Sequence, residues 1–192
     1  MSTFEYVAIF FSLILGLGLV HLLMGVTSTI QHRKTVKMYW GHIVWTIVIF
    51  QYLLSVWWGL FSWSELEDWK YAIFLLLVIY SIAVYLLPSL IMPIKVEENF
   101  DFEAYFKENK NWFFGMMLAA GVLDVLDALG KMALNVRSIP DGYFVYSALL
   151  GVLILSSLLS KQLKIAGFMG LIWMIIDLYY NVTELTSIGG LF

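Results

Sequence analysis

Three stretches of this chain, Tyr6 to His32, Met38 to Ser64 and Tyr71 to Ile94, contain no Asp, Glu, Lys or Arg at all. Each is longer than the roughly 20 residues a helix needs to cross a hydrocarbon layer. A surface helix of a soluble protein would show a polar face every three or four residues, and these stretches show none. In lipid every backbone N–H and C=O must be satisfied within the segment or a closed barrel, so long unbroken apolar runs read as helices. The remaining composition agrees. Hydrophobic residues make up 61% of the 192 positions and charged residues 13%, against about 45–50% and about 25% in soluble domains. Mean hydropathy is +0.86.

The expected architecture is an all-α, polytopic transmembrane bundle of six spans in a single domain over residues 1–192. The spans run from about Phe4 to Ile30, Met38 to Trp63, Trp69 to Ile94, Trp112 to Asn135, Tyr143 to Ser160 and Ile165 to Ile188. The start Met1-Ser2-Thr3-Phe4-Glu5 lacks the basic flank of a signal peptide, so the first run reads as a retained span. Pro140-Asp141-Gly142 is a turn signal between spans 4 and 5.

Lysine and arginine set the orientation. With the N-terminus outside, the inner loops hold Arg33, Lys34, Lys37, Lys95, Lys107, Lys110, Lys161 and Lys164. The outer side then holds only Lys70, Lys131 and Arg137. The bias favours both termini outside. Tryptophans near the span ends, Trp40, Trp57, Trp58, Trp63, Trp69 and Trp112, read as interfacial anchors and packing residues.

The segment 96–111 places Phe102, Tyr105 and Phe106 on one helical face, with Glu103, Lys107, Glu108 and Lys110 around the rest. It reads as a short amphipathic helix on the cytoplasmic surface. Its bland role is to connect two halves, 1–95 and 112–192. Its sharper role is to dock a cytoplasmic protein partner through those three aromatics. A three-plus-three repeat is suggested by Lys70-Tyr71-Ala72-Ile73-Phe74 against Lys164-Ile165-Ala166-Gly167-Phe168, although spans 1 and 4 do not align at that offset.

Ionisable and amide groups inside spans carry the functional signal, because each is costly in hydrocarbon unless paired or wet. Asp124 and Asp127 lie three apart on one face of span 4, and Lys131 follows one turn after Asp127. Asp177 lies in span 6, Gln51 and Ser55 in span 2, and His21 in span 1. They are expected to face a common interior. Two close carboxylates repel when both are ionised and would share a proton, and histidine titrates near neutrality, so the set suits proton or cation movement. The competing reading is structural: an Asp127–Lys131 pair, with the other acids bonded to tyrosine or tryptophan. His21 and His42 lie at different depths and no second pair exists, so no haem and no other cofactor is expected. A metal site from His21 with Asp124 or Asp177 stays open. Small residues at Ser12 and Gly16, Gly18 and Gly25, and Gly167 and Gly170 predict close helix contacts.

Enzyme readings find little. The chain has no cysteine. It contains no nucleophile elbow, phosphate loop, zinc motif or Gly-x-Gly-Asp. Asp124-x-x-Asp127 shares the spacing of intramembrane prenyl- and phosphatidyltransferases but lacks their second aspartate motif and basic residues.

Phe4-Glu5-Tyr6-Val7, Leu15-Gly16-Leu17-Gly18, His21-Leu22-Leu23, Tyr39-Trp40-Gly41-His42 and Trp57-Trp58-Gly59-Leu60-Phe61 together resemble small uncharacterised polytopic bacterial membrane proteins. The resemblance covers the first third of the chain and implies a bacterial cytoplasmic (inner) membrane, with no activity attached. The expectation is therefore a small ion channel or transporter, most readily a homo-oligomer, working through Asp124, Asp127, Asp177, His21, Gln51 and Lys131. The alternative is a membrane-embedded sensor or interaction subunit whose aspartates are structural.

Overall fold

The structure, a computed structural model, describes residues 2–184 and is entirely helical apart from its connections. The helices are α1 (Thr3–Gln31), α2 (Trp40–Gly59), α3 (Tyr71–Ile91), α4 (Phe102–Ala133), α5 (Tyr143–Leu159) and α6 (Leu163–Glu184). A 3₁₀ turn, Leu60–Glu65, extends α2. Five of these, α2 taken together with its 3₁₀ extension, are long and apolar enough to cross a membrane, and α5, with 17 residues, is a shorter apolar helix. The class is thus a polytopic helical membrane protein. The last residues assigned to the sixth span, Leu185 to Ile188, lie outside the described residues.

Around the bundle the helices pack in the order α1, α3, α4, α5, α6, α2, and α2 closes the ring on α1 while also touching α3 and α4. The small residues explain two of these pairings. A Cβ on Gly25 of α1 would come within 3.1 Å of Met92 just past the end of α3, and one on Gly18 within 3.4 Å of the Tyr85 backbone. A Cβ on Gly170 of α6 would meet Val44 at 2.9 Å and Trp45 at 3.0 Å on α2. Without a hydrophobic force between helices in lipid, such close approach is what gives dispersion contacts their strength.

One end of the bundle gathers the loops that carry most of the lysines. There Lys37 N–H donates to Phe100 O at 2.8 Å, and Phe102 N–H donates back to Lys37 O at 3.1 Å, tying the α1–α2 and α3–α4 connections together. Lys37 Nζ adds a 3.5 Å ion pair to Asp101. Asp101 is the N-cap of α4 and accepts from Glu103 N–H at 3.0 Å and Ala104 N–H at 3.1 Å. The bond from Ala104, with those from Glu103 and Lys37, holds this exposed carboxyl below its usual range. His42 and His21 serve the same end. Their Nε2 atoms donate to Ile91 O at 2.7 Å and Met92 O at 3.1 Å, so two histidines cap successive carbonyls where α3 runs out of intrahelical partners.

The separate surface helix expected over 96–111 is corrected. From Asp101 the chain enters α4 and continues for 32 residues without a break. Nothing between Phe102 and Trp112 stops a helix, and the change in polarity at Asn111 is a change of surroundings rather than of backbone. The partner-docking face is corrected with it. Phe102 and Phe106 are 0% and 1% exposed, packed against His42 and Tyr39, and only Tyr105 of the three is half-buried. They join Trp45, Phe113 and Phe114, all fully buried, in a continuous aromatic block at the lysine-rich end.

Candidate functional site

Towards the opposite end the ring is not filled. All six helices, α1 through Phe11 alone, border a pocket of about 530 Å³ that holds Asp124, Asp127 and Asp177. Three polar arrangements meet there, and each follows from helix spacing.

The first is a clamp. Lys131 lies four residues after Asp127 on α4 and its Nζ reaches Asp127 Oδ2 at 2.5 Å. The same ammonium donates to Gly59 O at 3.1 Å, where α2 passes into the 3₁₀ turn, and sits 5.7 Å from the Trp63 ring centre. Trp63 Nε1 donates to Asp127 Oδ1 at 2.8 Å. Both charged side chains are nearly buried, at 12% and 10% exposure. Charge and hydrogen bonds together lock the 3₁₀ turn after α2 onto α4. The Asp127–Lys131 pair expected in the structural reading is present.

The second is Asp124. It lies three residues before Asp127, and its oxygens accept from Tyr80 of α3 and Tyr143 of α5, both at 2.8 Å. Tyr52 of α2 stands 3.2 Å from Tyr80 Oη, which extends the chain of hydroxyls to a third helix. The third is Asp177 of α6, 1% exposed. Its Oδ1 accepts from Tyr146 of α5 at 2.5 Å, and its Oδ2 accepts from Gln51 of α2 at 2.5 Å and Asn181 at 3.0 Å. Asn181 also reaches Ser55 Oγ at 2.7 Å. Tyr146 stacks on Tyr180 with centroids 3.9 Å apart and planes 9° apart.

Asp124, Asp127, Asp177, Gln51 and Lys131 thus come together around one region. His21 does not join them: it is spent on Met92 O and does not border the pocket. Among the described residues no group of three His, Cys, Asp or Glu is placed to hold a metal ion. Sequence reasoning passed over Tyr80, Tyr143 and Tyr146, although the i, i+3 spacing of the last two on α5 put two hydroxyls on one face. It took Trp63 for an anchor and packing residue; the indole is indeed packed, at 0% exposure, but its N–H is committed to a carboxylate rather than to an interface.

The pocket is not symmetric along the bundle. Its wall includes Arg137, Ser138 and Pro140 of the α4–α5 connection at one end. Towards the lysine-rich end its lining reaches the buried side chains of Met117, Ile154 and Trp173, the last packed on Trp45. Beyond lies the aromatic block. Between α4 and α5 the rim residues Val122, Leu126 and Phe144 are 61%, 44% and 54% exposed, so the pocket also faces sideways where lipid would be.

No family model, curated protein or solved structure matched this chain.

Proposed function

We propose that the protein is a small membrane transporter for protons or other cations, with Asp124 and Asp177 as the groups that receive the cargo. The observation that supports it is the make-up of the pocket: carboxylates within the bundle, residues of the α4–α5 connection in the wall at one end, and the buried rings of Trp173, Trp45, Phe113 and Phe114 towards the other. A pore would need a wet path to both sides, whereas a carrier needs a central site sealed on one side at a time. The carrier is therefore favoured over the channel. Intramembrane acids facing a cavity are the usual currency of such transport. Asp127 and Lys131 are positioning residues in this reading. His21 is outside it.

The same proposal takes six crossings, α5 included, with both termini outside and the lysine-rich end in the cytoplasm of a bacterial inner membrane. The pocket then opens outward.

The test is reconstitution into liposomes with an internal pH dye and an imposed proton or cation gradient. The parent is expected to dissipate the gradient, and Asp124→Asn and Asp177→Asn to lower the rate at least tenfold while eluting as monodisperse protein. No flux from the parent in any gradient, or undiminished flux in both variants, overturns the proposal.

A further inference from the structure

The pocket's volume, charge and sideways opening together specify more than a cation. We propose that its ligand is an amphipathic organic cation, with an ammonium head against Asp124 and an apolar tail leaving between α4 and α5. This rests on the reading of the pocket as the working site and names the class of molecule that fills it.

Size is the first argument. About 530 Å³ is the room a drug-sized molecule occupies, since ligand pockets run from roughly 300 to 1,000 Å³. A proton or a bare ion would leave nearly all of it empty, and no metal-holding cluster stands among the described residues.

Charge is the second. Three carboxylates border the pocket against two cations, Lys131 and Arg137. Lys131 is committed to Asp127, and Arg137 donates to Ser62 at 3.4 Å. Among the described residues, Asp124 and Asp177 are bonded only to neutral donors. An ionised carboxylate offers about four acceptor sites. Asp124 uses two of them and Asp177 three, so Asp124 is the less occupied of the two and has the greater capacity left for a cationic head.

The third is the lining. Tyr52, Tyr80, Tyr143 and Tyr146 surround the acids, and aromatic walls beside a carboxylate are what binds organic ammonium groups through cation–π attraction. Trp173, in the pocket wall, is 4% exposed, and its Nε1–H has no acceptor among the described residues. A buried indole N–H normally has one, and here a ligand oxygen or a water would supply it. The last argument is the opening. The exposed rim of Val122, Leu126 and Phe144 is apolar, so a chain passing there trades one hydrocarbon surface for another at little cost.

The test is equilibrium binding of radiolabelled decyltrimethylammonium to the full protein in phosphatidylcholine nanodiscs, with empty nanodiscs as the blank. Saturable binding near one per protein is expected, displaced by decylamine and not by decyl sulfate. Asp124→Asn should weaken it at least tenfold. Val122→Trp, at the rim and away from the acids, should weaken the decyl ligand several-fold while leaving tetramethylammonium unchanged. Should Asp124→Asn not fold, the cation-over-sulfate preference of the parent and the Val122→Trp contrast still decide. Binding no greater than the blank, or equal displacement by decyl sulfate, overturns the proposal. Proton flux without ammonium binding would refute this inference and leave transport standing. Ammonium binding without any flux would do the reverse.

Discussion

Replacing Lys131 by methionine keeps most of the side chain's volume and removes its charge. Asp127 is then left 7% exposed with its carboxylate facing only the Trp63 N–H, and Gly59 O loses its donor. Removing one partner of a buried pair costs about 3–5 kcal/mol, because the other charge stays behind unpaired. For a chain of this length each kcal/mol moves the melting midpoint by roughly 2–4 °C, so the variant should melt about 6–20 °C below the parent. Asp127→Asn combined with Lys131→Met leaves an uncharged amide that still accepts from Trp63, and the loss falls to about 1–2 kcal/mol. The double variant is therefore more stable than the single one. The assay is a thermal ramp in detergent micelles followed by size-exclusion of the surviving monodisperse fraction. A single variant melting within about 2 °C of the parent would refute the reasoning, since that is less than one kcal/mol. So would a double variant no better than the single, because the penalty would then not come from a stranded charge.

Gly170→Ala places a methyl 2.9 Å from Val44 and 3.0 Å from Trp45, whose ring is fully buried and fixed by its bond to Ala166 O at 2.9 Å. Such overpacking should cost about 1–3 kcal/mol. Gly121→Ala, with nothing within 4 Å, should be neutral or gain up to about 1 kcal/mol from helix propensity; the two melting curves separate these outcomes. Tyr146→Phe removes a 2.5 Å donor to Asp177 while keeping the ring for its stack on Tyr180. It should destabilise by about 1.5–3 kcal/mol, the range for hydrogen bonds to charged groups, and a shift below about 1 °C would contradict the assignment. The depressed carboxyl of Asp101 contributes to folding above the unfolded value of about 3.9 and loses that contribution as pH falls through its lower folded value. Amide exchange at Glu103 and Ala104 should therefore speed up, relative to intrinsic rates, only below about pH 4, and Asp101→Asn should remove that dependence.

The helical membrane bundle was legible because lipid imposes one rule on every residue of a span, so charge-free runs announce it directly. Glycine placement was legible in part: Gly18 with Gly25 and Gly167 with Gly170 marked the faces that α3 and α2 occupy, whereas Gly16, with nothing within 4 Å of a Cβ, marked none. The continuity of α4 was not. Hydropathy changes at Asn111, but hydropathy reports the medium and not the backbone, and only the lack of a stop signal between Asp101 and Trp112 could have told them apart. Among the candidate site residues, Asp124, Asp127 and Lys131 shared a face by spacing alone, whereas Gln51 and Asp177 are brought within 2.5 Å by tertiary packing that no local pattern encodes. His21 looked functional by its chemistry alone. Its use at the end of α3 depends on which helix lies beside it, and so does that of His42.

The uninterrupted α4 is about 48 Å long at 1.5 Å per residue. Its first half presents Phe113 and Phe114 to Trp45, and its second half carries Asp124 and Asp127. A rod of this kind is a lever. In the proposed carrier, a tilt of α4 as one rod that widened the acidic chamber would also shift the aromatic block against Trp45, so filling one and loosening the other would share a single mechanical coordinate.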